Sequence, residues 1–145
     1  MSKSDAFESA LLALIFQNTN IANIGDATGL RGAVAAGQLF LALHTADPGE
    51  AGTQTTSEVA YTGYARVGLA RSSGAFTITG NSVSPAANVN FPICTAGSAT
   101  ATHFSVGVAS TGAGMVLYKG AISPAIAIAA GVTPQLTTAT VITED

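Results

Sequence analysis

From residue 72 to residue 143 the chain carries one fully charged side chain, Lys119, where an average soluble domain would place on the order of 18. The stretch is written instead in Ala, Thr, Ser, Gly and Val, and is cut at short intervals by glycine and proline. Many short alternating runs between Gly/Pro turns point to antiparallel β architecture, a sandwich or a jelly roll. A surface this poor in charge has two explanations. Threonine and serine can solvate an ordinary β domain, or partner subunits can cover the strands. Interface cores are depleted of Lys, Glu and Asp, and free monomers use charge to stay apart, so the second explanation is favoured.

The strand pattern begins at Gln38. Leu39, Leu41 and Leu43 alternate with Phe40, Ala42 and His44, and both rows are largely apolar, as in a strand covered on both faces. Further short strands are predicted at 64–71, 75–79, a segment after Asn81, 87–91, 102–109, 115–119, 125–129 and 135–143. Pro124 and Pro134 introduce the last two. The count is about eight.

Two segments differ from this body. Phe7, Leu11, Leu14 and Ile15 recur at helical spacing, and Asp5 with Glu8 has the form of a capping box, so a helix is predicted over 6–17. Residues 24–37 hold Gly25, Gly29 and Gly32 and read as loop with room for a short helical turn. Residues 45–63 form the longest irregular stretch. It contains the turn Asp47-Pro48-Gly49 and the acidic residues Asp47, Glu50 and Glu58. The whole reads as one domain: an N-terminal helical arm over 1–23, then a β-sandwich over 38–145 with its long loop at 45–63.

A search for chemistry returns little. Cys94 is the one cysteine, so no internal disulfide or multi-cysteine zinc site is possible, and its apolar surroundings make it a small buried hydrophobe. His44 lies near Asp47, but a metal site would need more ligands than His103 alone adds. His103 and Ser105 share a strand face, yet no nucleophile elbow surrounds the serine. The glycine clusters lack the Walker lysine and the dinucleotide fingerprint. The five basic residues form no stripe for nucleic acid. The longest apolar run, Ala10 to Phe16, is too short to span a membrane, and no signal peptide is evident, so the protein is expected in the cytoplasm where it is made. No enzymatic activity and no cofactor is expected.

One set of motifs has a known likeness. After the N-terminal helix come Leu39-Phe40-Leu41-Ala42-Leu43-His44-Thr45-Ala46-Asp47-Pro48-Gly49 and Glu58-Val59-Ala60-Tyr61-Thr62-Gly63-Tyr64-Ala65-Arg66. Downstream follow Asn90-Phe91-Pro92, Thr102-His103-Phe104-Ser105-Val106-Gly107 and Leu117-Tyr118-Lys119-Gly120. From about Leu39 to the end, the chain resembles small tailed-phage structural proteins. Some of these are described as tail-fibre-like, others as capsid cement or decoration proteins with a jelly-roll fold.

The resemblance implies a virion protein on the capsid exterior. It would stabilise the shell by sitting over the major capsid protein, its partner, as a dimer or trimer with copies of itself, with neither nucleic acid nor membrane bound. A tail or fibre component that binds a host receptor is the alternative. A carbohydrate-binding sandwich is a third, weakened by the absence of Trp. The expected contact residues are Phe7, Leu11 and Leu14 on the helix and Asp47, Glu58 and Tyr61 in the long loop.

Overall fold

The computed structural model of the chain describes residues 2–25 and 29–145. Its elements are a helix, α1 (Asp5–Gln17), and nine strands. These are β1 (Gln38–His44), β2 (Val67–Ala70), β3 (Phe76–Thr79), β4 (Ser82–Pro85), β5 (Val89–Asn90), β6 (Ser98–Gly107), β7 (Val116–Ala129), β8 (Gln135–Leu136) and β9 (Ile142–Thr143). They sort into three sheets, in the orders β2-β1-β6-β7, β3-β4-β9 and β5-β8. The mostly β, antiparallel reading with one N-terminal helix therefore holds. The closed pair of sheets that defines a jelly roll does not appear among the described residues. The chain divides into two compact units. One combines 1–38, 70–88 and 137–145, and the other combines 39–69 and 89–136.

The first unit is built on α1. Its buried residues are Glu8, Leu12 and Phe16, spaced four apart. Phe16 meets Phe76 of β3 edge to face, with ring centroids 5.0 Å apart. In the expected stripe Phe7, Leu11 and Ile15 lie one position off this row and Leu14 lies two, and all four are only half-buried. The capping box does not form. Ser4 is the N-cap, and its carbonyl accepts from the amides of Phe7 and Glu8 at 2.9 and 3.0 Å. Asp5 and Glu8 still place negative charge at the first turn, where the helix dipole favours it.

No basic residue occupies the last turn of α1. Arg71 supplies that charge from far along the chain. Its guanidinium donates to the carbonyls of Ile15 (2.6 Å), Leu14 (2.5 Å) and Ala36 (3.1 Å). The first two are among the carbonyls that a helix end leaves unpaired. Arg71→Met is expected to cost about 2 kcal/mol, because two orphan carbonyls lose charge-assisted bonds. A urea titration of the variant measures it, and an unchanged midpoint would show that water replaces the guanidinium without loss.

The chain reverses at Asn18, whose φ of 58° is left-handed. The Asn18 side chain then brackets Ala33, donating to its carbonyl (2.8 Å) and accepting from its amide (2.7 Å). The stretch 24–37 is loop where it is described, with one isolated bridge between Ile21 and Leu30. Residues 26–28 lie outside the described residues.

The second unit is built on β1 and β6, paired antiparallel from Phe40↔Gly107 to His44↔His103. β1 is buried on both faces along most of its length, as its two apolar rows require. β7 is the longest strand and lies at the sheet's edge. It absorbs both the 115–119 and the 125–129 runs, so Pro124 does not separate two strands. The proline sits where the β6–β7 register shifts and residues 122–125 face Thr102 alone. A residue without an amide hydrogen is tolerated at such an edge. The final run, 135–143, divides instead. β8 pairs β5, and β9 pairs β4.

Candidate functional site

In the second unit the loop 45–66 is fastened against β1 and the β6–β7 turn by polar side chains that are nearly all buried. Gln54 is fully buried. Its amide nitrogen donates to the Phe40 carbonyl (3.3 Å), its side-chain oxygen accepts from the Ala109 amide (3.0 Å), and its backbone amide donates to Gly114 O (2.9 Å). The approach is possible only because residues 107 and 114 are glycines. A Cβ at either would overlap the Gln54 side chain.

Arg66 supplies the second fastener. Its Nε and one terminal nitrogen grip both oxygens of Glu58 at 2.7 Å each, the two-pronged geometry that suits guanidinium and carboxylate. The remaining donors reach the carbonyls of Ala109 (2.9 Å) and Gly112 (2.8 Å). The Arg66 side chain is 3% exposed and that of Glu58 16%. The carboxylate's bonds hold the Arg66 proton more tightly than usual. Tyr64 joins the same carboxylate with its hydroxyl (2.9 Å) and accepts from the Leu43 amide (3.1 Å), and burial pushes its phenol well up.

These bonds converge on residues 108–115. Val108 N donates to Met115 O at 3.2 Å, and Thr53 bridges Met115. Ser110, Thr111, Gly112 and Ala113 are exposed at the turn, flanked by Val108 (45% exposed) and Met115 (61%). Buried ion pairs contribute little net stability, and their best-attested role is to fix one conformation. Here the conformation fixed is that of an exposed, uncharged tip. Such a loop can bind without first being ordered.

The sequence-predicted contact residues of the loop stand in different surroundings within the second unit. Tyr61 is buried, with its ring edge to face on Tyr64 and its hydroxyl donating to Pro92 O at 2.7 Å. Glu58 points into the Arg66 grip. Asp47 is exposed and pairs with Lys119 (3.0 Å), which also reaches Glu50 (3.1 Å). The Gly49 amide and then Lys119 hold the Asp47 carboxyl below its usual range. Phe7, Leu11 and Leu14 belong to the other unit.

The histidine and serine meet in an unexpected pairing. Ser105 bonds His44 Nε2 at 2.8 Å, and His44 Nδ1 lies 2.8 Å from the Thr56 carbonyl. A carbonyl only accepts, so Nδ1 carries the proton and Nε2 accepts from the Ser105 hydroxyl. Both side chains are fully buried. The third partner is a peptide carbonyl and not Asp47. The pair is a fastener between β1, β6 and the loop. Cys94 is fully buried, its thiol directed at Ala96 O (3.3 Å). Among the described residues no three His, Cys, Asp or Glu side chains group as metal ligands, and no helix is long and apolar enough to cross a membrane.

Sequence reasoning missed Gln54, Arg66 and the glycines that admit Gln54. Arg66 and Glu58 stand in one motif segment, but nothing in their spacing marks them as paired. Gln54 carries no local signal.

Comparison with known proteins adds the remaining observation. A family model described as Podophage GP4 fiber I protein gp80 matches residues 2–144. No curated protein matches the chain. The family match corrects the expectation of a capsid cement or decoration protein, and with it capsid stabilisation, the capsid exterior as location and the major capsid protein as partner. The features behind that expectation were charge-poor strands and motifs shared across small phage proteins. Any subunit packed among others needs such strands, so they do not separate head from tail. With all but its first and last residues inside the match, the chain belongs to the podophage GP4 fiber I protein gp80 family.

Proposed function

We propose that the chain is a non-catalytic structural component of a phage tail, made in the host cytoplasm and carried in the virion's fibre apparatus, where it takes part in binding the host receptor. The fibre-family match over residues 2–144 carries this reading. The charge-poor strands support it, since they suit packing against neighbouring tail subunits and copies of the same chain. The half-buried helix row Phe7, Leu11 and Leu14 is a face we assign to those neighbours. The pinned tip 108–115 is the part we assign to recognition.

Location and stoichiometry in purified particles test the reading. Antibody label at the tail, with copies on the order of a dozen per particle, is the expected result for a symmetric tail assembly. Label spread over the head at hundreds of copies would overturn it. The recognition role has its own test. Met115→Asp places a charge on the exposed tip while leaving every bond of the Gln54 and Arg66 network in place. It should lower phage adsorption to host cells about tenfold, the size of one interface hot spot, with incorporation into particles unchanged. Normal adsorption by Met115→Asp particles would remove the tip from recognition.

A further inference from the structure

The turn between β6 and β7 has two sides, and its anchor decides which residues stand on each. A Cβ on Gly107 or on Gly114 would meet the Gln54 side chain, so both positions face the loop. Successive residues of an extended chain point to opposite sides. Val108 and Met115, the next residues after those glycines, are therefore directed away from Gln54. The bond from Val108 N to Met115 O (3.2 Å) continues the Gly107↔Val116 pair by one step, which brings the two side chains to the same side. They are 45% and 61% exposed. The exposed apolar pair is thus a product of the anchor and not of a slack loop. We propose that this outer side of the tip, with Val108 and Met115 at its centre, docks on a protein of the host cell surface. The inference rests on the recognition role assigned to the tip above and names the chemical class of its partner.

Charge separates a protein from a polysaccharide partner. Phosphate and carboxylate groups of a surface polysaccharide are gripped by free guanidinium or ammonium groups. Residues 108–118 carry no charged side chain. The two cations that border the tip are already engaged. Arg66 is spent on Glu58 and on the carbonyls of Ala109 and Gly112, and its side chain is 3% exposed. Lys119 is held by Asp47 and Glu50. Tyr61 and Tyr64, which could offer flat faces to neutral sugar rings, are packed edge to face on each other instead.

What the tip does present suits a polypeptide. Cores of protein interfaces are depleted of Lys, Glu and Asp and enriched in Met. An unbranched thioether adapts to an irregular apolar pocket. Ser110 and Thr111, exposed beside the pair, supply hydroxyls for a polar rim. Because the turn is already pinned, docking orders little new chain. Eight residues make a small contact, and copies arrayed in one fibre would add avidity to it.

Adsorption of particles carrying Met115→Asp or Met115→Lys, each compared with unmodified particles, tests the partner's class. On untreated cells both variants are expected to adsorb about tenfold less, because an apolar contact is lost with either charge. Met115→Lys particles that adsorb as well as unmodified ones, or better, would reveal attraction to an anionic polysaccharide and overturn the proposal. The deficit should vanish on cells stripped of surface protein by protease and persist on cells whose sugars are oxidised by periodate. A deficit that survives protease, or that vanishes after periodate, overturns the protein partner while leaving the tip in recognition. Equal adsorption of all three kinds of particle to untreated cells removes the tip from recognition, and the proposal with it. Both variants should enter particles at full copy number. Loss of copies in both would place the tip against a tail neighbour and also overturn the proposal.

Discussion

Arg66→Ala is expected to destabilise the protein by about 3–5 kcal/mol, a loss on the order of 10 °C or more in Tm. The guanidinium makes four bonds, two to Glu58 and one each to the carbonyls of Ala109 and Gly112. Its removal strands a carboxylate that is 84% covered, the side chain being 16% exposed. It also leaves the Ala109 carbonyl without its guanidinium donor, while the Gly112 carbonyl keeps only the Gly114 amide. The size of the effect is therefore the cost of what remains and not the worth of the pair. A double variant separates the two. Glu58→Gln with Arg66→Met removes both charges and should lose clearly less than the sum of the single changes. Thermal unfolding of the three variants decides it. A fully additive cycle would mean that the two side chains do not act together.

The second large effect is expected at a glycine with no unusual backbone angle. Gly107→Ala should cost about 2–4 kcal/mol, because its methyl group would occupy the space of the Gln54 side chain. Gln54 cannot retreat without giving up its bonds to Phe40 O and the Ala109 amide inside a dry site. The test is rescue. Gln54→Ala, destabilising alone, should make Gly107→Ala nearly neutral when the two are combined, since the methyl then fills vacated space. Equal costs of Gly107→Ala with and without Gln54 would show that the glycine serves some other need.

These two positions also show where sequence reasoning reaches its end. Helix α1 and strand β1 were legible because periodicity is local: apolar residues at spacing four or two declare their own element. Even there the buried row of the helix was misplaced by one position, since partner geometry selects Glu8, Leu12 and Phe16. The jelly-roll expectation went too far for a related reason. Strand runs can be read singly, but the choice that sends β8 to β5 and β9 to β4 is made by residues far apart. The candidate site was least legible of all. Asp47, Glu58 and Tyr61 are expected at a contact surface because the length of their loop is otherwise unexplained. The bonds that Glu58 and Tyr61 make within the second unit carry no signal along the chain. Gln54, Gly107 and Gly114 meet only in three dimensions, and no pattern along the chain links them.

The position of β7 at the edge of its sheet has a consequence for the protein before assembly. Fourteen residues of strand with a single charge could template the addition of a foreign strand. The register shift around Pro124 divides that edge into two shorter runs, 116–121 and 126–129, neither long enough to hold an intruder firmly. Pro124 and the register shift beside it thus interrupt the unpaired edge that an added strand would need.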